Sequence, residues 1–114
     1  ITDSNIGAGL PAGTYDTPWG YPVTVAPGRA ARHATKGFLA GSALTMDRGM
    51  ENLLGWLRLP PEQVWAMGTL NPANLLGLAQ RGRLEPGAHA DLVLWDEGLR
   101  AHRTWLGGVL THAA

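Results

Sequence analysis

Sixteen glycines and eight prolines punctuate a chain of 114 residues, and they set the scale of what it can build. Glycine opens turn conformations closed to other residues, and proline interrupts helices and ladders. Their density forces short elements joined by tight turns. Apolar residues still make up 45% of the chain, which places it among globular rather than disordered sequences.

Charge narrows the partners. Nine basic and nine acidic residues cancel, leaving no net field to draw nucleic acid or an anionic membrane. No apolar run approaches the ~20 residues that span a bilayer. With no cysteine there is neither a disulfide framework nor a thiolate metal site in these residues, and a cytoplasmic setting is expected.

Patterning predicts the order of elements. Thr14-Tyr15 and Pro22 to Val25 read as short strands, and Pro27-Gly28 turns into a third piece at Arg29 to Arg32. Residues 13–36 form a hairpin excursion. Met46, Met50, Leu53, Leu54 and Leu57 share one helical face, with Thr45 or Ser42 as cap and Asp47 in the first turn. A second helix starts at Pro61, and a third is capped by Asn71 ahead of Pro72. From Gly82 the pattern turns to strands at Ala90 to Trp95, Leu99 to Leu106 and Val109 to Thr111, with Gly107-Gly108 as a hairpin turn.

The opening, Ile1-Thr2-Asp3, reads as a strand end carrying a carboxylate into a glycine-containing loop, with its preceding part expected upstream. Strand ends of that kind present catalytic groups in α/β enzymes. A loop-capping aspartate is the alternative. Gly7-Ala8-Gly9 lacks a phosphate-loop pattern and reads as flexible loop glycine. His33, His89, His102 and His112 show no ligand spacing and are expected to bind no metal. Arg29, Arg32 and Lys36 read as a solvated edge, with contact to a sugar phosphate as the alternative.

Several segments occur together in a recognisable order: Ile1-Thr2-Asp3, Ala8 to Tyr15, Leu39 to Asp47, Thr69 to Ala73 and Gly82 to Val93. They resemble the C-terminal portion of N-acetylglucosamine-6-phosphate deacetylases, within the metal-dependent amidohydrolase superfamily. Ser4-Asn5 departs from that pattern, where a small residue such as alanine is common. The resemblance implies an α/β fold class, as the C-terminal fragment of an amidohydrolase-type (β/α)8 barrel with part of its β-sandwich domain. Residues 1–80 would end the barrel, with its last strand, the 13–36 excursion and the terminal helices. Residues 81–114 would supply C-terminal strands of the sandwich.

The same resemblance implies that Asp3 is the general base and acid, and that Leu44 and Met46 wall the substrate; core packing is the alternative for those two. It implies a divalent metal of zinc or iron type in the parent enzyme, held by residues outside this chain. It further implies an amino-sugar phosphate substrate, a homo-oligomer, and no activity from the chain alone, whose missing barrel contacts would leave apolar surface exposed. Another amide as substrate, or a non-catalytic β-rich interaction module, are the competing readings.

Overall fold

The computed structural model describes residues 1–114 as six short strands and three helices in two compact units, residues 1–49 and 50–114. Strands are two to six residues long, as the spacing of glycine and proline requires.

In the first unit, β1 (Gly13–Tyr15), β2 (Val23–Val25) and β3 (Arg32–His33) form an antiparallel sheet in sequence order. Val23 and Val25 point to the same side of the central strand and are buried with Ala31. Burying each valine is worth roughly 2 kcal/mol. His33 completes this small core. Its ring stacks on Tyr21 at 4.8 Å and meets Phe38 edge-on at 4.7 Å. Nδ1 accepts the backbone N–H groups of Thr35 and Lys36, both at 3.2 Å, which puts the proton of the neutral ring on Nε2. The residue thus ties down the turn that follows it.

Helix α1 (Met46–Trp56) begins in this unit and continues into the next. Its apolar face is graded: Met50 is buried, Leu53 and Leu54 are half-buried, and Met46 and Leu57 are exposed. Asp47 sits in the first turn, where helix N–H groups lack partners. Partial burial works against its charge there. Hydrogen bonds with the Thr45 side chain and the backbone of Arg48 and Asp47 itself, together with the Arg48 charge, outweigh that effect. The carboxyl is held below its usual range.

The second unit holds α2 (Pro61–Gly68), α3 (Leu70–Leu75) and an antiparallel sheet of β4 (Leu92–Trp95), β5 (Ala101–Leu106) and β6 (Val109–Ala113). Val64, Ala73 and Met50 are its buried apolar residues, and Trp65 stacks on Trp95 at 4.8 Å. Pro61 opens α2 as expected. Thr69, not Asn71, occupies the N-cap position of α3, its hydroxyl turned back to the Trp65 carbonyl at 2.8 Å. The two helices follow each other without a loop, so the cap position falls on the residue between them. Leu99, expected in a strand, stands at φ 58 in the turn, which delays β5 to Ala101. Gly107 and Gly108 both have positive φ between the paired residues Leu106 and Val109, the geometry of a two-residue hairpin. Asp91 braces that turn by accepting the Gly107 N–H at 2.8 Å while pairing with Arg81.

Both sheets are open and antiparallel. Many large apolar side chains lie exposed, among them Trp56, Leu75, Leu76 and Leu84, each more than 70% accessible. No helix is long and apolar enough to cross a membrane.

Candidate functional site

Ile1 to Asp3 forms no ladder. Pairing begins one residue later, where Ser4 makes a parallel bridge with Ser42. The Asp3 carbonyl accepts the Ser42 N–H at 2.7 Å, and the Asn5 N–H donates to the Ser42 carbonyl at 2.8 Å. Between these bonds the chain turns sharply, because Asp3 has φ 53. That left-handed conformation costs a non-glycine residue roughly 1–2 kcal/mol, and aspartate tolerates it better than most. The strain is held by the Ser42 bridge. It leaves the Asp3 carboxylate exposed, with no side-chain hydrogen bond or ion pair restraining it.

Side chains reinforce the same junction. Asn5 donates from Nδ2 to the Ala40 carbonyl and accepts the Gly7 N–H on Oδ1, both at 2.8 Å. Ser4 Oγ bonds to the Leu44 carbonyl and lies 2.8 Å from Thr2 Oγ1. Ser42 Oγ accepts the Leu44 N–H at 2.9 Å. Residues 2–7 and 40–44 are therefore one stitched assembly. Gly41 permits it: at φ 73, its backbone passes so close that an added Cβ would sit 2.9 Å from the Asp3 carbonyl oxygen.

A cleft of about 780 Å³ opens beside this assembly. Leu10, Pro11, Val25, Leu39 and Leu44 give it apolar walls, and Arg29 and Arg48 are the charged side chains that line it. Arg29 lines this cleft while remaining exposed to solvent, and the Arg32 guanidinium donates to the Gly37 carbonyl at 2.7 Å. Gly7 is buried, and a Cβ there would meet Val25 Cγ1 at 2.7 Å, so close packing accounts for this glycine where loop flexibility was expected.

The structure brings Asp3 and Leu44 into one hydrogen-bonded assembly, with Leu44 on the cleft wall and Asp3 outside the lining. Met46 heads α1, half exposed and away from that lining. Sequence reasoning passed over Asn5 and Ser42 as structural links. The Asn-x-Gly spacing of residues 5–7 is the signal for the first, since asparagine commonly bonds the N–H two residues on. Nothing comparable marks Ser42, whose partner is remote in sequence.

The sequence profile of the amidohydrolase family matches residues 24–111. The chain belongs to the amidohydrolase family. This amidohydrolase chain is 38% identical over its whole length to an N-acetylglucosamine-6-phosphate deacetylase of Vibrio furnissii, covering 28% of that protein. It is 37% identical, over 96% of its length, to an N-acetylgalactosamine-6-phosphate deacetylase of Escherichia coli O157:H7, covering 29% of it. Among solved structures it superimposes along its full length on N-acetylglucosamine-6-phosphate deacetylase from Thermotoga maritima, with a TM-score of 0.80 and 34% identity, covering 31% of that chain. The chain thus spans less than a third of the length of these relatives.

Amidohydrolases are generally metal-dependent. The groups present here do not fit a metal centre: no three His, Asp or Glu side chains converge. His33 is in the sheet core, His89 in the loop ahead of β4 with its N–H on the Gln80 carbonyl, and His102 and His112 on strands β5 and β6.

Proposed function

We propose that the protein carrying this chain is a hydrolase that removes the acetyl group from an N-acetylated amino-sugar 6-phosphate, with N-acetylglucosamine 6-phosphate as first candidate. The observation that carries this reading is similarity along the whole chain to deacetylases of that substrate class. The isolated 114-residue chain is proposed to be inactive. The barrel, its zinc- or iron-type metal and a homo-oligomeric assembly belong to the longer protein in this proposal, with residues 1–80 ending the barrel and 81–114 joining the sandwich.

Asp3 is the proposed proton carrier. In amide hydrolysis water adds to the acetyl carbonyl and loses a proton, and the C–N bond then breaks with a proton delivered to nitrogen. A carboxylate beside the reacting centre serves both steps, because an unprotonated amine is a poor leaving group. Asp3 has the features this role requires: a short side chain, an exposed carboxylate and a backbone fixed at both sides by Ser42. Strain of this kind often accompanies functional positions. Leu44 and Met46 are proposed to face the acetyl and sugar groups.

Near-equal identity to the glucosamine- and galactosamine-type relatives makes the C4 epimer the open point of specificity. Acetate release by the full-length protein from the two N-acetylhexosamine 6-phosphates tests the proposal. Turnover of either supports the substrate class and their ratio assigns the epimer. Turnover of neither, in protein loaded with zinc or iron, overturns it.

A further inference from the structure

We propose that Asn5 is a positioning residue that acts through Asp3, an inference resting on the role assigned to Asp3 above. Asn5 touches both sides of the junction. Its amide Nδ2 holds the Ala40 carbonyl and its Oδ1 holds the Gly7 N–H, each at 2.8 Å. Its own N–H secures the Ser42 carbonyl. Ala40 and Ser42 flank Gly41, whose backbone lies against the Asp3 carbonyl.

The consequence is mechanical. Asp3 stays at φ 53 only while its carbonyl accepts the Ser42 N–H. The position of Ser42 depends in turn on where the 40–42 backbone is held, and the Asn5 amide fixes its leading end. Without Nδ2 the Ala40 carbonyl loses its partner, the bridge slackens, and Asp3 relaxes toward an ordinary negative φ. Its carboxylate then swings away from the direction that the strained backbone imposes. Small displacements of a reacting group are expensive in rate.

The test compares Asn5→Ala, Asn5→Asp and Asp3→Asn in the full-length protein, with N-acetylglucosamine 6-phosphate as probe. Asn5→Asp keeps the acceptor for Gly7 but cannot donate to Ala40. Both Asn5 variants should lower kcat roughly 10- to 100-fold while KM stays within about twofold. Amide exchange at Ser42 should accelerate by about tenfold in both, without loss of the global fold. Unchanged kcat in Asn5→Ala beside an inactive Asp3→Asn overturns the positioning role alone. So does a loss of kcat with Ser42 exchange unaltered, because the effect then bypasses the bridge. Full activity in Asp3→Asn instead overturns the assignment of Asp3 itself, and with it any positioning through that residue.

Discussion

A Cβ at Gly41 would lie 2.9 Å from the carbonyl oxygen of Asp3, closer than real Cβ atoms approach a backbone oxygen. The glycine is thus required twice, once by its φ of 73 and once by its neighbour. Gly37 offers an internal control, since it has φ 72 and open space around its Cα. Gly37→Ala should cost only the backbone term, about 1–2 kcal/mol. Gly41→Ala should cost more, about 2–4 kcal/mol, because the bridge must also shift. Denaturant unfolding of the two variants checks the difference, and equal losses would show that the Asp3 contact is not rigid.

Asp47 supplies a pH dependence whose sign follows from its environment. Its carboxyl is held below the usual range, so the folded state binds this proton less readily than the unfolded chain. The stabilisation is therefore complete above about pH 4 and fades as pH falls through the lowered folded value. Asp47→Asn should lose stability at neutral pH and narrow its gap to wild type below pH 4. Thermal melts from about pH 3 to about pH 7 check the convergence. A gap independent of pH would contradict it.

Leu44 and Met46 differ in placement, and their variants should differ accordingly. Leu44 lines the cleft and its carbonyl holds Ser4, whereas Met46 is half exposed at the start of α1. In the full-length protein, Leu44→Ala should raise KM by roughly tenfold through lost apolar contact, in line with 1–3 kcal/mol for a pocket methylene or two. Met46→Ala should have the smaller effect. Steady-state kinetics decide, and a larger effect at Met46 would place the substrate wall on the helix instead.

Local chemistry made much of the fold readable. Gly107-Gly108 specified its hairpin, Pro61 the start of α2, and the spacing of Met50, Leu53 and Leu54 the inward side of α1. Errors fell where neighbours decide. Asn71 is a good cap by composition, but α2 runs straight into α3 and the position passes to Thr69. Gly7 looked flexible because its reason, Val25, lies elsewhere in the sequence. The same limit applied to the site. Asp3 stood out as a carboxylate before a loop, while its partner Ser42, and the Ala40 carbonyl held by Asn5, are joined to that segment only through folding.

The exposed apolar groups carry a consequence for the isolated chain. Trp56, Leu75, Leu76 and Leu84 are largely accessible to water, and accessible surface of this kind favours association. Sedimentation of the 114-residue chain should reveal concentration-dependent self-association, reduced by replacing Trp56 and Leu75 with polar residues. A monomer at every concentration would mean that these side chains are covered within the chain.

The central claim is that Asp3 moves the proton in amide hydrolysis. Acetate release from N-acetylglucosamine 6-phosphate by full-length Asp3→Asn tests it most directly, since asparagine keeps the shape and the tolerance of positive φ but cannot accept the proton. The expected result is a fall in kcat on the order of 10²- to 10⁴-fold, with the fold and the Ser42 bridge intact. Activity within a few-fold of wild type would contradict the account.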